Sequence, residues 1–415
     1  MDLSLSTPLD SLDPYATDVA DEGRRIREIG RLVPVRLVGD VRAWTTAHHA
    51  VAQEVFTHPG FVKNPSHWAA FQNGEVPAEW PILRLITIDS MLNRDGADHT
   101  RLRSLVSRAF TPRRVEALQP RIREITNELV AHLSAWPAGE VLDLRAEYAF
   151  PFPMQVICEL FGLARGHRAQ LADDYAALHD SRTSPSRLVE ANHGVEATIC
   201  ELIESKRQHP ADDLTSALIS IQDADQGRLT DRELSETLVL FLFAGHETTQ
   251  NLITNAVREL IEHPDQLHLA CQGSDATWQD VVEETLRRTS PVNTVMFRYA
   301  SQDITVPGTG VTVLRGEPVV LCVAGTGRDP EKFGHDAEAF DLTRSAATQH
   351  LAFSRGVHYC LGAPLGRMMA ATALEALFTR FDITCPDLGA LQPLPSYASQ
   401  SVQTLPVTLS ALARV

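Results

Sequence analysis

The stretch Phe353-Ser-Arg-Gly356-Val-His-Tyr-Cys360-Leu-Gly362 decides the reading of this chain, because it sets one cysteine between two glycines just ahead of a helical pattern. A cysteine there is favoured as thiolate, since backbone N–H groups and the positive end of the helix dipole stabilise the anion. Gly356 and Gly362 let the backbone turn tightly and approach a large flat ligand. No second cysteine or histidine stands at zinc spacing, so one thiolate suits an axial haem ligand better than a tetrahedral metal. A buried structural cysteine is the competing reading.

Working upstream, Glu284-x-x-Arg287 pairs opposite charges within a helical pattern, and taken alone it reads as a surface salt bridge. Further back, Ala244-Gly245-His246-Glu247-Thr248-Thr249 lies at the middle of the strongest helical signal. That signal opens on the capping box Thr230-x-x-Glu233 and continues to about Glu262. At ~1.5 Å per residue it is about 45–50 Å long, so it must cross the core. Gly245 costs about 1 kcal/mol against alanine, which asks for either a close ligand or a close helix. Ala244 and Thr248 share one face, and a bond from Thr248 to a carbonyl one turn back would open a local bulge. A zinc-protease reading fails, because H-E-x-x-H needs histidine where Gln250 stands.

Outward from these motifs, helical patterns dominate from Asp98, which is read as a cap. Thr111-Pro112 opens a further helix, and Pro120 should kink or split it. Others run over 154–163, 168–178 and 187–208, interrupted at Ser-Arg-Thr-Ser-Pro-Ser (181–186), and Thr277 caps another. Strand patterns are confined to 33–38 and to several short runs between 292 and 324. The stretch from Asn64 to Met91 is irregular and long enough to suggest function. The expected fold is therefore mainly α with a small β region, as one compact unit.

Composition narrows the function. With 37 Lys and Arg against 53 Asp and Glu, the net charge of −16 argues against broad nucleic-acid or anionic-lipid binding. Six scattered cysteines form no disulfide framework, which fits a reducing cytoplasm. No signal peptide is read at the N-terminus, and no apolar run is long enough for a membrane span. Neither G-x-G-x-x-G nor a phosphate-binding P-loop is intact, so the chain brings no nucleotide site.

Together, F-x-x-G-x-x-x-C-x-G, Ala-Gly-His-Glu-Thr-Thr and E-x-x-R, in this order, resemble the cytochrome P450 superfamily, of the soluble bacterial type, over nearly the whole chain. The resemblance implies one haem domain over 1–415, with the long helix crossing over haem b (iron protoporphyrin IX). It implies Cys360 as the thiolate ligand to iron, with Phe353 and Gly356 shaping its loop. Thr248 would hold a water and Glu247 would help deliver protons to dioxygen, a general-acid task. His99, Arg103, Arg298 and His358 would bind the haem propionates. Glu284 and Arg287 would form a buried structural triad with Arg328 of Gly-Arg-Asp-Pro. The chain departs from the family at Ser354 and Gly327, where glycine and asparagine are usual, and at Met369, near a common acidic position.

The implied activity is that of a haem-thiolate monooxygenase in secondary metabolism, using O2 to hydroxylate or epoxidise a medium-sized apolar natural product. A macrolide, a steroid-like polycycle and a cyclic dipeptide all suit it. The family layout puts Trp68, Phe71, Met91, Leu240, Ala244, Val292, Val295, Met296 and Gln400 around the substrate. Electrons would come from ferredoxin and its reductase, drawn to a basic patch of Arg355, Arg101, Arg108, Arg113 and Arg114 on a monomer. Oxidative C–C or C–N coupling without oxygen insertion is the alternative reaction. A non-catalytic haem sensor is the alternative of another class, disfavoured by Glu247-Thr248.

Overall fold

The computed structural model describes residues 5, 10–13, 17–77, 80, 82–179, 183–224, 229–273, 276–396 and 398–412. They gather into two compact units. One comprises Met1–Thr87, Val130–Ala149 and Thr248–Val415, and the other Ile88–Leu129 and Phe150–Glu247.

The first unit holds the β structure. Its six-stranded sheet runs in the spatial order Asp10–Ser11, Val33–Arg36, Arg42–Thr46, Pro318–Cys322, Thr294–Ala300, Phe61–Val62. Pro318–Cys322 is buried at every residue, and its side chains alternate between two apolar clusters. Val320 and Cys322 pack with Phe297, Tyr299 and Trp68, while Val319 and Leu321 pack with Trp44, Phe56 and Ala300. Burial on both faces explains why this strand reads as a continuous apolar run. A three-stranded sheet (Phe381–Thr384, Pro406–Ala411, Leu142–Asp143) and a two-stranded one (Ile304–Val306, Val311–Val313) complete the set among the described residues.

One irregularity in Thr294–Ala300 positions the site. Its pairing with Pro318–Cys322 steps from Val295↔Leu321 to Arg298↔Val319, an inserted residue on one strand only. Such a bulge reverses the alternation of side chains. Val295 and Arg298 therefore share a face, with Val295 against the Trp44 and Phe56 cluster and the Arg298 guanidinium 5.3 Å above the Phe56 ring.

The second unit is helical: Gly96–Ala109, Pro112–Ala117, Pro151–Phe161, Arg165–His179, Pro185–Gln208 and Leu214–Ala224. Thr111 caps Pro112–Ala117 by accepting from Arg114 N, and the chain restarts as Gln119–Ser134, so Pro120 ends up in a first turn, as expected for a split helix. The first of these helices starts earlier than expected, with Asp95 at the N-cap and Asp98 in its first turn. Part of the expected interruption before Pro185, residues 181 and 182, lies outside the described residues.

The capping box at Thr230 is as read. Thr230 N donates to Glu233 Oε2 (2.8 Å) and Glu233 N to Thr230 Oγ1 (3.1 Å), opening the helix Asp231–Glu262. This helix is unbroken α throughout, so the bulge expected at Thr248 is not there.

Burial also sets a pH dependence. Glu22, on the helix Val19–Ile29, is buried, and that burial pushes its carboxyl up to about 7 despite the Asp13 N–H it accepts. A carboxyl raised in the fold binds more protons native than unfolded. Its stabilising contribution is full below about 4.5, its ordinary value, and is lost as pH rises through about 7. Glu22→Gln should flatten the pH dependence of the urea midpoint between about pH 5 and about pH 8. Parallel profiles for variant and parent would refute this.

Candidate active site

In the first unit, the cysteine loop leads from Leu351 into the helix Ala363–Phe378. Cys360 N–H donates to Phe353 O (2.9 Å), closing the loop on itself, and Ala363 N–H faces Cys360 O at 3.5 Å. Gly356 has φ +74°, and a Cβ there would meet Phe56 O at 3.1 Å, so only glycine fits. Ser354 also has φ +62°. The family's usual glycine is understandable at such a position, and serine carries a left-handed backbone at a cost of about 1 kcal/mol.

Cys360 is exposed. By contrast, burial pushes the Cys322 thiol up to about 12 and the Cys158 thiol up to about 11, which keeps both as neutral core thiols. Cys360 belongs to neither group of three metal-capable side chains among the described residues. Those groups already hold cations: Arg31 forks onto Glu331 beside His48 and Asp329 (2.8 Å to each oxygen), and Arg288 holds Glu259 beside Glu262 and His263. A thiol at a helix start, outside any tetrahedral donor set, fits haem as a single sulfur donor. Arg298, 2% exposed on the bulged strand, and His358, half-buried on the loop, fit the cofactor's carboxylates as donors.

In the second unit, His99 is buried and Arg103 half-buried on the same face of Gly96–Ala109. Gly245 has a plain cause. A Cβ there would meet Ile157 Cδ1 at 3.3 Å, so it is a helix-packing glycine. His246 is fully buried, its Nε2 2.9 Å from Phe150 O and its ring between those of Phe150 (4.7 Å) and Tyr175 (4.4 Å). Two residues around the helix turn the chain to the opposite side. Hence the packing of His246 leaves Ala244 exposed on the other face of Asp231–Glu262, with Glu247 half-buried; Thr248, where the first unit resumes, is half-buried.

Several expectations need correction. Arg328 does not complete the triad: its Nε donates to Arg288 O (2.9 Å) and its Nη1 pairs with Glu338. The second cation on Glu284 is Arg344, Nε to Oε1 at 3.4 Å. Glu284 and Arg287 themselves are wholly buried, not a surface pair. Arg287 donates twice to Glu284 (2.7 Å each) and to the carbonyls of Gly327, Ala337 and Ala339, which satisfies all five guanidinium N–H groups. Trp68 does not line a pocket. It is 1% exposed, stacked on Phe297 (5.2 Å) and Tyr299 (5.6 Å), and Phe71 packs on it within the same core. Among the patch arginines, Arg101 is already tied to Glu233 (2.6 Å), and Arg114 to Asp212 (2.9 Å) and the Ala109 and Asp213 carbonyls.

The remaining expected pocket residues separate by unit. Met91 and Leu240 are buried and Ala244 exposed in the second. In the first, Val292, Val295 and Gln400 are half-buried, and Val292 bridges to Ser399 while Gln400 N donates to Pro291 O (3.0 Å). The Met296 side chain lies outside what is described. Met369 is 2% exposed, so an acid at that place would be buried. Sequence reading passed over Arg344, Glu283 and Arg367. The signal was available in the acidic doublet Glu283-Glu284 and in Phe340-Asp-Leu-Thr-Arg344.

The sequence pattern described as cytochrome P450 matches residues 154–272 and 277–409. The chain belongs to the cytochrome P450 family. It is 38% identical over 97% of its length to 2-hydroxy-5-methyl-1-naphthoate 7-hydroxylase of Streptomyces carzinostaticus, of which it covers 99%. The cytochrome P450 monooxygenase PikC of Streptomyces venezuelae is 36% identical, with 95% of this chain and 91% of that protein aligned. Testosterone-bound CYP154C4 from Streptomyces sp. ATCC 11861 superimposes with a TM-score of 0.90 at 38% identity, covering 97% of this chain and 98% of that one. The protein is thus a P450 monooxygenase with haem b as cofactor, acting on apolar substrates with electrons from redox partners. No helix among the described residues is long and apolar enough to cross a membrane.

Proposed function

We propose that this P450 is a monomeric, cytoplasmic enzyme that hydroxylates or epoxidises a fused-ring, mostly apolar natural product, the chain acting as one haem domain over 1–415. The observation that carries the reading is Cys360, exposed on a loop closed by its own N–H and opening into a helix N-terminus. The fused-ring preference rests on two similar proteins, one named for a naphthoate and one solved with a steroid. Macrolides and cyclic dipeptides remain the comparison substrates.

Bound haem supplies the oxygen-activating chemistry. Cys360 holds the iron through sulfur, and Arg298, His358, His99 and Arg103 neutralise the propionates. Thr248 positions a water by its hydroxyl, and Glu247, one residue before it and half-buried, passes protons inward from solvent. Ala244, Leu240, Met91, Val292, Val295, Met296 and Gln400 orient the substrate and exclude water, Gln400 offering a polar anchor in an otherwise apolar set. Arg355, exposed on the cysteine loop beside Val357 (69% exposed) and Tyr359 (40% exposed), receives an acidic ferredoxin, itself reduced by its reductase.

The test is turnover with ferredoxin, its reductase and candidate fused-ring substrates, followed by product mass. The reading expects a gain of one oxygen atom. Loss of hydrogens instead would assign oxidative coupling, and no product from any bound substrate would favour the sensor. Thr248→Ala should lower product per electron pair while hydrogen peroxide rises, since proton delivery by a positioned group contributes about 100-fold or more to the rate. Unchanged coupling would remove Thr248 from the mechanism.

A further inference from the structure

Beneath the cysteine loop lies an ion pair that no role assigned above absorbs. Arg367, on the helix Ala363–Phe378, holds its guanidinium 4.5 Å over the Phe353 ring, donates from Nη1 to the Tyr359 hydroxyl (3.2 Å), and grips both carboxylate oxygens of Glu283, with Nη2 3.2 Å from Oε2. Phe353 supplies the carbonyl that receives the Cys360 N–H, and Tyr359 directly precedes Cys360. One cation thus touches both sides of the loop where they meet at the sulfur-bearing residue. Glu283 is 6% exposed and lies 3.3 Å from His350 Nε2, and His350 Nδ1 accepts the Ala352 N–H (3.1 Å).

Burial alone pushes the Glu283 carboxyl up, but His350 and Arg367 outweigh it and hold the group at about 2. The carboxylate therefore stays ionised at neutral pH. A largely buried ion pair is seldom kept for stability alone, because desolvation offsets most of its attraction. Here it lies beside the one residue whose side chain must carry negative charge.

We propose that Glu283 and Arg367 are positioning residues that clamp the Cys360 loop and balance the electric field at its sulfur. The inference rests on the reading of Cys360 as haem ligand. The cation draws electron density toward the sulfur and the carboxylate offsets that pull, so neither charge is neutral in effect when its partner is removed.

The test is the iron reduction potential of the haem-loaded protein in three variants. Glu283→Gln leaves the cation uncompensated and should raise the potential. Arg367→Gln leaves the carboxylate uncompensated and should lower it, and the double variant should return close to the parent. A clamp without a field would move both single variants the same way, and shifts of equal sign, or none, would overturn the proposal. Arg367→Lys keeps the charge but loses the fork. It should hold the potential near the parent while a larger fraction of the reduced carbon monoxide complex loses its red-shifted band. An unchanged fraction would remove the clamp. Failure of the underlying ligand reading is separately visible, since the parent protein itself would then lack that band.

Discussion

Cys360→Ser should abolish the strongly red-shifted Soret band of the dithionite-reduced protein under carbon monoxide, while leaving the fold intact. The expectation has two parts. Serine keeps the size of the side chain, and the loop is closed by backbone, Cys360 N–H to Phe353 O (2.9 Å), so exchanging sulfur for oxygen leaves the loop's own bonding in place. The spectral loss follows because the band reports a thiolate on the iron, and serine offers none. Cys322→Ser and Cys158→Ser supply the control: both thiols are buried and held neutral, so both variants should keep the band even if they lose stability. Haem-replete parent protein without the band would sink Cys360 as ligand, and with it the roles assigned to Thr248, Glu247 and the Arg367 clamp.

The second large effect belongs to a residue remote from the chemistry. Gly327→Ala should destabilise the fold by at least about 3 kcal/mol, the upper range for overpacking, or prevent folding altogether. A Cβ at Gly327 would lie 1.8 Å from the Arg287 carbonyl oxygen and 2.8 Å from its carbon, so backbone would have to yield. Yielding would also pull Gly327 O away from the Arg287 guanidinium, leaving a buried donor unsatisfied. Gly366→Ala is the matched control, since nothing stands within 4 Å of its Cβ and it lies in the helix Ala363–Phe378. There alanine should add about 1 kcal/mol by helix propensity. Thermal unfolding of both variants decides the matter, and a Gly327→Ala protein as stable as its parent would refute the geometry. Asparagine, usual at this place in the family, would meet the same Arg287 carbonyl in this chain.

Recognition of the fold, and the proposal of Cys360 as ligand, came from order and spacing along the chain. The caps at Thr230 and Thr277 were legible because each is a reciprocal bond between residues three apart, which neighbouring side chains and backbone complete without help from the rest of the molecule. The Cys360 loop was legible for the same reason: its glycines, its cysteine and the helix it opens are contiguous. The strand Pro318–Cys322 announced itself as an unbroken apolar run, since a strand buried on both faces needs no polar residue.

What the chain could not announce depends on residues far apart in sequence. Arg328 and Arg344 follow the same E-x-x-R segment and look equally able to reach Glu284; the folded chain turns one toward Glu338 and the other toward Glu284. Trp68 looks like a pocket aromatic in an irregular stretch until Phe297 and Tyr299 stack on it from the sheet. Arg101 and Arg114 look like a basic surface until Glu233 and Asp212 reach them. Val295 and Arg298 should face opposite ways by the period of a strand, and one inserted residue puts them together. Local bonding and contiguous burial were therefore written in the sequence itself. Which charge meets which, and which aromatic becomes core, was decided by tertiary packing, because a buried charge takes whichever partner the backbone brings within reach.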